Sequence, residues 1–223
     1  MLENKPLTSN VGKWDACYRN LSVATPRPYA DAVTYLMAAA FLADVDEVED
    51  WGCGGGGFRT FCISPQYVGL DGSKTPFADK IVDLCTYRST AAGIMMRHVL
   101  EHNYEWEKVL DAALQSFQKK FCLILFTPFV AETKEIAYNG RMSHPSQTDV
   151  TARDWSPPIA PPRAQLRVEE GARPSAVAID VPDLSFRRED IERHFDGVNW
   201  KLIQNIPTRS HYGVEHVYFI WRT

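Results

Sequence analysis

Three groups of residues in this 223-residue chain have the types and spacing to do chemistry. The first is the glycine run Gly52-Cys53-Gly54-Gly55-Gly56-Gly57, entered through Glu49-Asp50-Trp51. Glycine lets a chain turn tightly and removes Cβ where a ligand must approach. A helix following such a run would add free amides for an anionic group. The second group is His98, Glu101 and His102, at i, i+3 and i+4. On a helix starting near His98 they share one face. Imidazole and carboxylate so placed can share a metal ion, and an imidazole titrating near neutrality can take a proton from a hydroxyl. His144 stands downstream as a further donor or as the general base. The third group, His211, Tyr212, Glu215 and His216, could line an acceptor pocket, but reads first as a solvated hairpin. Arg153, Arg163, Arg167 and Arg173 are interleaved with acids and read as solvated too.

The glycines alone leave the ligand open. Gly52, Gly54 and Gly57 satisfy G-x-G-x-x-G, and Asp71 follows at about 20 residues, so a dinucleotide fits as well as a methyl donor.

Positioning these groups needs a regular scaffold. Residues 28–43 carry apolar side chains at helical spacing behind Pro28, and residues 105–117 form a second apolar stripe. Residues 45–51, 67–70, 80–84, 93–98 and 121–126 read as strands. The last is apolar throughout, as in a parallel sheet covered on both faces. Residues 188–195 read as a helix, and 200–206 and 214–221 as an antiparallel pair. The expectation is an α/β three-layer sandwich: a Rossmann-like, seven-stranded, mostly parallel sheet with an antiparallel last strand pair, in one domain over 1–223. Between about 130 and 181 the periodicity fails, and Pro157, Pro158, Pro161 and Pro162 exclude a helix or central strand. A lid over an acceptor site is expected there, ordered around 138–144 and mobile around 157–176.

Composition narrows the partners. Apolar residues at 45% and charged residues at 23% are ordinary for a globular protein. A net charge of −4 exerts no general pull on nucleic acid. Five cysteines without C-x-x-C spacing read as buried reduced thiols, hence a cytoplasmic setting. The polar N-terminus is unlike a signal peptide, and no apolar run approaches the roughly 18 residues of a membrane span.

The motifs carry a resemblance. Val48-Glu49-Asp50-Trp51-Gly52-Cys53-Gly54-Gly55-Gly56, Val68-Gly69-Leu70-Asp71-Gly72-Ser73, Asp83-Leu84 and Met95-Met96-Arg97-His98-Val99-Leu100-Glu101-His102 resemble, in order, four motifs of class I S-adenosylmethionine-dependent methyltransferases. The resemblance implies cofactor contacts from Asp50, Gly52, Gly54, Gly56, Asp71, Gly72, Ser73, Asp83, Leu84, Arg97 and His98. Asp71 would accept from the ribose hydroxyls, and Trp14 and Tyr18 would close over the site or else staple the core. The histidine pattern is similar to that of small-RNA 2′-O-methyltransferases. That likeness implies a Mg²⁺ held by His98, Glu101, His102 and His144, which would polarise the acceptor hydroxyl. Together these imply an O-methyltransferase for a small-molecule hydroxyl, by analogy a sugar or oligosaccharide, with His144 and His102 catalytic and a homodimer allowed. A nucleic-acid 2′-O-methyltransferase and an NAD-dependent oxidoreductase are the alternatives.

Overall fold

Consecutive parallel strands without polar alternation need cover on both faces. The computed structural model, which describes residues 11–19, 21, 26, 28–138 and 181–223, supplies it. Strands β1 (Glu47–Trp51), β2 (Gln66–Asp71), β3 (Lys80–Ile81), β4 (Gly93–Arg97) and β5 (Lys120–Leu125) are parallel. Two more, β8 (Asn199–Pro207) and β9 (Val214–Trp221), complete a seven-stranded sheet of order β3-β2-β1-β4-β5-β9-β8. Strand β9 is antiparallel to both its neighbours. The helices are α1 (Asp15–Tyr18), α2 (Val33–Phe41), α3 (Trp106–Ser116) and α4 (Arg188–Glu192). This is the expected fold class.

Alternate residues of the central strands feed two cores. Met95, Cys122, Ile124 and Val217 pack with Tyr35, Ala38 and Ala39 of α2. Ile94, Met96, Leu123, Leu125 and Tyr218 pack with Val109, Leu110 and Ala113 of α3 and Ile191 of α4. Each such fully buried large apolar side chain contributes roughly 1.5–3 kcal/mol. Among the described residues no helix is long and apolar enough to cross a membrane.

Several local expectations change. Helix α2 starts at Val33 rather than near Pro28, because Ala30 adopts a left-handed φ of 62°. Strand β3 stops at Ile81, since Asp83 opens a turn in which its carbonyl accepts from Thr86 and Tyr87. The segment thought patternless contains β6 (Lys134–Tyr138), paired antiparallel with β7 (Pro182–Ser185). Proline is tolerated at the first residue of such a strand. The ladder is fastened to the end of β5: Thr127 Oγ1 donates to Leu184 O (2.9 Å) and Val130 N to Phe186 O (3.0 Å). His144, the four arginines and both expected lid portions beyond Tyr138 lie outside the described residues.

The solvated hairpin is corrected as well. Glu215 and His216 have no exposed surface, because β9 lies inside the sheet between β5 and β8 and is covered on both faces. Glu215 Oε1 accepts from Arg97 at 2.7 Å, and its Oε2 accepts from Thr34 Oγ1 at 2.5 Å. His216 Nδ1 accepts from the amide of Asn205 (3.1 Å), which sits at a bulge with φ 58°.

Removing one partner of a buried pair strands the other charge. Glu215→Ala is expected to cost about 3–5 kcal/mol in urea unfolding. A loss under about 1 kcal/mol would mean that Arg97 is solvated.

Candidate functional site

Chain order reverses between β1 and β4, which opens a crevice at their carboxyl ends. The glycine turn lies there. Gly52 has φ 80°, and a Cβ on it would sit 2.3 Å from Val99 Cγ2. Gly56 has φ 73° and would meet Phe77 at 2.4 Å. Side chains are therefore excluded at both. The expected helix after the glycines is absent: a single 3-10 turn, Phe58–Thr60, follows, and the chain reaches Ser64-Pro65 and β2 soon after.

Asp71 knits the edge together. Its Oδ2 accepts from Gly54 N (2.9 Å) and its Oδ1 from Ser73 N (2.8 Å). The Gly72 amide adds to these, and a carboxylate with about four lone-pair sites still retains acceptor capacity for a ligand. Burial raises its pKa to about 6 against the pull of those amides. Asp50 is also buried and accepts from the Tyr67 hydroxyl (2.7 Å); burial pushes it up to about 7. Asp83 and Leu84 lie in the turn after β3, where Asp83 Oδ1 accepts from Cys85 N. Helix α1 lies across this edge. Gly12 N donates to Gly72 O (2.7 Å) and Trp14 N to Ser73 Oγ (2.8 Å). The Tyr18 hydroxyl is 3.1 Å from the Cβ position of Gly54.

The histidine cluster does not share a face. His98 takes φ 57°, so no helix runs through it, and only a 3-10 turn covers Leu100–His102. Its Nε2 lies 3.2 Å from Glu215 Oε1, and burial, then Arg97, lowers its pKa to about 3. Glu101 is buried with Oε1 accepting from Phe126 N (2.6 Å), and burial raises it to about 7. His102 turns elsewhere: its Nδ1 is 3.0 Å from Pro182 O and 3.1 Å from Asp183 Oδ1. Among the described residues no three His, Cys, Asp or Glu side chains are grouped to hold an ion. The residues present therefore do not fit the expected Mg²⁺ site. Arg97 makes its hydrogen bonds internally, to Glu215, Tyr35 and the Tyr29 carbonyl.

The geometry brings in Asp183, which carried no such signal in the sequence, and joins it to Tyr212 of the third group. Asp183, on β7, faces His102, and the Tyr212 hydroxyl donates to its Oδ2 at 2.8 Å. Both neighbours of His102 Nδ1 are pure acceptors, so Nδ1 carries the proton and Nε2 keeps the free lone pair. Burial depresses the His102 pKa, but the hydrogen bond and charge of Asp183 outweigh it and hold the imidazole above its ordinary range. Burial raises Asp183 while His102 and Tyr212 pull it down, with a net lowering.

No family model matches the chain, and no curated protein matches it in sequence. Solved S-adenosylmethionine-dependent methyltransferases share its fold. One is the 1,6-didemethyltoxoflavin N1-methyltransferase of Burkholderia thailandensis, with its acceptor and S-adenosylhomocysteine bound: TM-score 0.54, 10% identity, covering 86% of this chain and 76% of that one. A methyltransferase of Clostridium acetobutylicum gives 0.52 at 10% identity, covering 94% and 97%. The magnesium protoporphyrin IX methyltransferase of Synechocystis with S-adenosylhomocysteine gives 0.50 at 14%, covering 86% and 82%.

Asp50 keeps its proton in the folded chain to about pH 7, whereas an unfolded aspartate loses it near pH 4. The folded state thus binds more protons over that window, and Asp50 costs stability as pH rises through it. The melting temperature of Asp50→Asn is expected to gain on the wild type between pH 4 and 7. A constant difference would contradict the burial argument.

Proposed function

We propose that the chain is an S-adenosylmethionine-dependent O-methyltransferase for a hydroxyl of a small molecule, with His102 as general base. The observation that carries this reading is the carboxyl edge of β1 and β2, where the glycine turn faces Asp71 across 2.9 Å with no helix behind it. A dinucleotide site seats its pyrophosphate on such a helix N-terminus. The oxidoreductase alternative lacks that anchor, whereas a donor held at its ribose and methionine ends needs none. The inserted antiparallel β9 also departs from the 3-2-1-4-5-6 order of the dinucleotide fold.

Asp71 would take the ribose hydroxyls with its remaining lone pairs, and Gly52, Gly54, Gly56, Gly72 and Ser73 would give the cofactor backbone without side-chain obstruction. Asp50 would lie at the methionine end and Asp83 and Leu84 at the adenine. Arg97 and His98 position the loop after β4 rather than touch the ligand. The bound cofactor supplies an electrophilic methyl group on a sulfonium. His102 Nε2 takes the acceptor's hydroxyl proton, and Asp183 orients the ring and stabilises the imidazolium, the logic of an activated nucleophile with an oriented base. Asp183 arrives on β7, so the base is complete only when β7 is docked.

The sugar acceptor and the metal were implied by one histidine pattern, and those side chains diverge. No step is assigned to an ion. The net charge of −4 gives no support to a nucleic-acid acceptor.

His102 must be neutral to act, so turnover should rise with pH through its raised pKa. His102→Ala should lose about 10²–10⁴-fold in kcat with S-adenosylhomocysteine affinity unchanged. A histidine-selective NMR titration tests the same point without an acceptor. The His102 pKa should lie above 6.5 in the wild type and fall in Asp183→Asn, since the carboxylate favours the charged ring. No shift in that variant would remove Asp183 from the mechanism.

A further inference from the structure

Aromatic rings surround the proposed base. Trp14 meets His102 edge-on at 5.0 Å, His102 lies 5.4 Å from Phe126, and Phe126 lies 5.6 Å from Tyr212. On the other side His98 is 4.6 Å from Phe126, and Tyr29 is 5.5 Å from His98. Phe126 is the buried floor; Tyr29 is 49% exposed, and Trp14, His102 and Tyr212 are partly exposed. These rings come from the start of α1, the approach to α2, the end of β5 and the hairpin before β9, so separate elements gather them at one edge.

Two carboxylates beside these rings are already committed to neighbouring side chains. Asp183 serves His102 and Tyr212, and Glu215 serves Arg97 and Thr34. A saccharide presents a fan of hydroxyls, each needing a donor or acceptor from the wall. This wall offers ring faces and edges, with the Nε2 lone pair of His102 among them. It suits a flat molecule carrying one reactive hydroxyl.

We infer that the acceptor is a phenol, held between the rings of Trp14, Tyr29, Phe126 and Tyr212 with its hydroxyl at His102 Nε2. This rests on the reading of the chain as a methyltransferase with His102 as base. The chemistry of proton transfer points the same way. A phenolic hydroxyl has a pKa of about 10, as in tyrosine. An aliphatic hydroxyl is closer to water, at about 16. An imidazole unaided by a metal ion is matched to the first and poorly matched to the second, because the driving force for proton transfer falls as the two pKa values separate. In the step itself the phenol oxygen forms its bond to the methyl carbon with its own electron pair. The carbon–sulfur bond breaks toward sulfur, leaving the neutral thioether. The hydroxyl proton passes to His102 Nε2 and then to solvent.

The test uses the full chain and radiolabelled S-adenosylmethionine. Catechol, 2-naphthol and a series of para-substituted phenols are offered beside methyl glucoside and a disaccharide, after calorimetry with S-adenosylhomocysteine. The expected result is label transfer to phenols and none to sugars. Tyr29→Ala should raise the phenol KM about three- to tenfold, the size of one aromatic contact, with S-adenosylhomocysteine affinity unchanged. Preferential transfer to a sugar would overturn the inference, as would failure of every phenol in a chain that binds S-adenosylhomocysteine. A chain that does not bind S-adenosylhomocysteine would instead refute the methyltransferase reading beneath it.

Discussion

A buried ion pair organises the working edge of this protein. Arg97 ends β4, Glu215 opens β9, and they meet at 2.7 Å in a site almost closed to solvent. Such a pair gives little net stability after desolvation, but it is costly to break and so fixes geometry. Thr34 and Tyr35 of α2 join it, which ties three elements to one point. His98 is held beside Glu215 in a left-handed conformation that few non-glycine residues adopt. That one backbone angle ends β4 sharply. It sends Glu101 toward the Phe126 amide and His102 toward β7, and so separates side chains that the sequence spacing would have aligned.

The proposed base is the product of two distant segments. His102 lies just beyond β4, while Asp183 and the Pro182 carbonyl come from a ladder whose other strand, β6, follows β5. The fastening of this ladder to Thr127 and Val130 gives the base its tautomer. The rings proposed to hold the acceptor gather around the same imidazole, with Phe126 linking those of His98, His102 and Tyr212.

The sheet was legible because its signals are local. The apolar run in β5, the glycines after β1 and the acid at the end of β2 each declare an element within a few residues. The fold class followed from their order. Three kinds of feature escaped. The helix expected at His98 rested on spacing alone, and a tertiary ion pair overrode it. The β6–β7 ladder pairs strands from opposite ends of a long intervening segment, and neither has the alternation that marks a strand by itself. Asp183 was invisible for that reason. Glu215 and His216 read as surface because charge usually means exposure, and only the insertion of β9 between two strands reverses that inference.

The central claim is that the glycine turn and Asp71 hold a methyl donor rather than a dinucleotide. Isothermal titration calorimetry of the full chain with S-adenosylhomocysteine and with NADH, in wild type and Asp71→Asn, tests it most directly. The account predicts saturable binding of S-adenosylhomocysteine that weakens about tenfold or more, roughly 1.4 kcal/mol, in the variant, and no binding of NADH. Binding of NADH with no response to S-adenosylhomocysteine would contradict it.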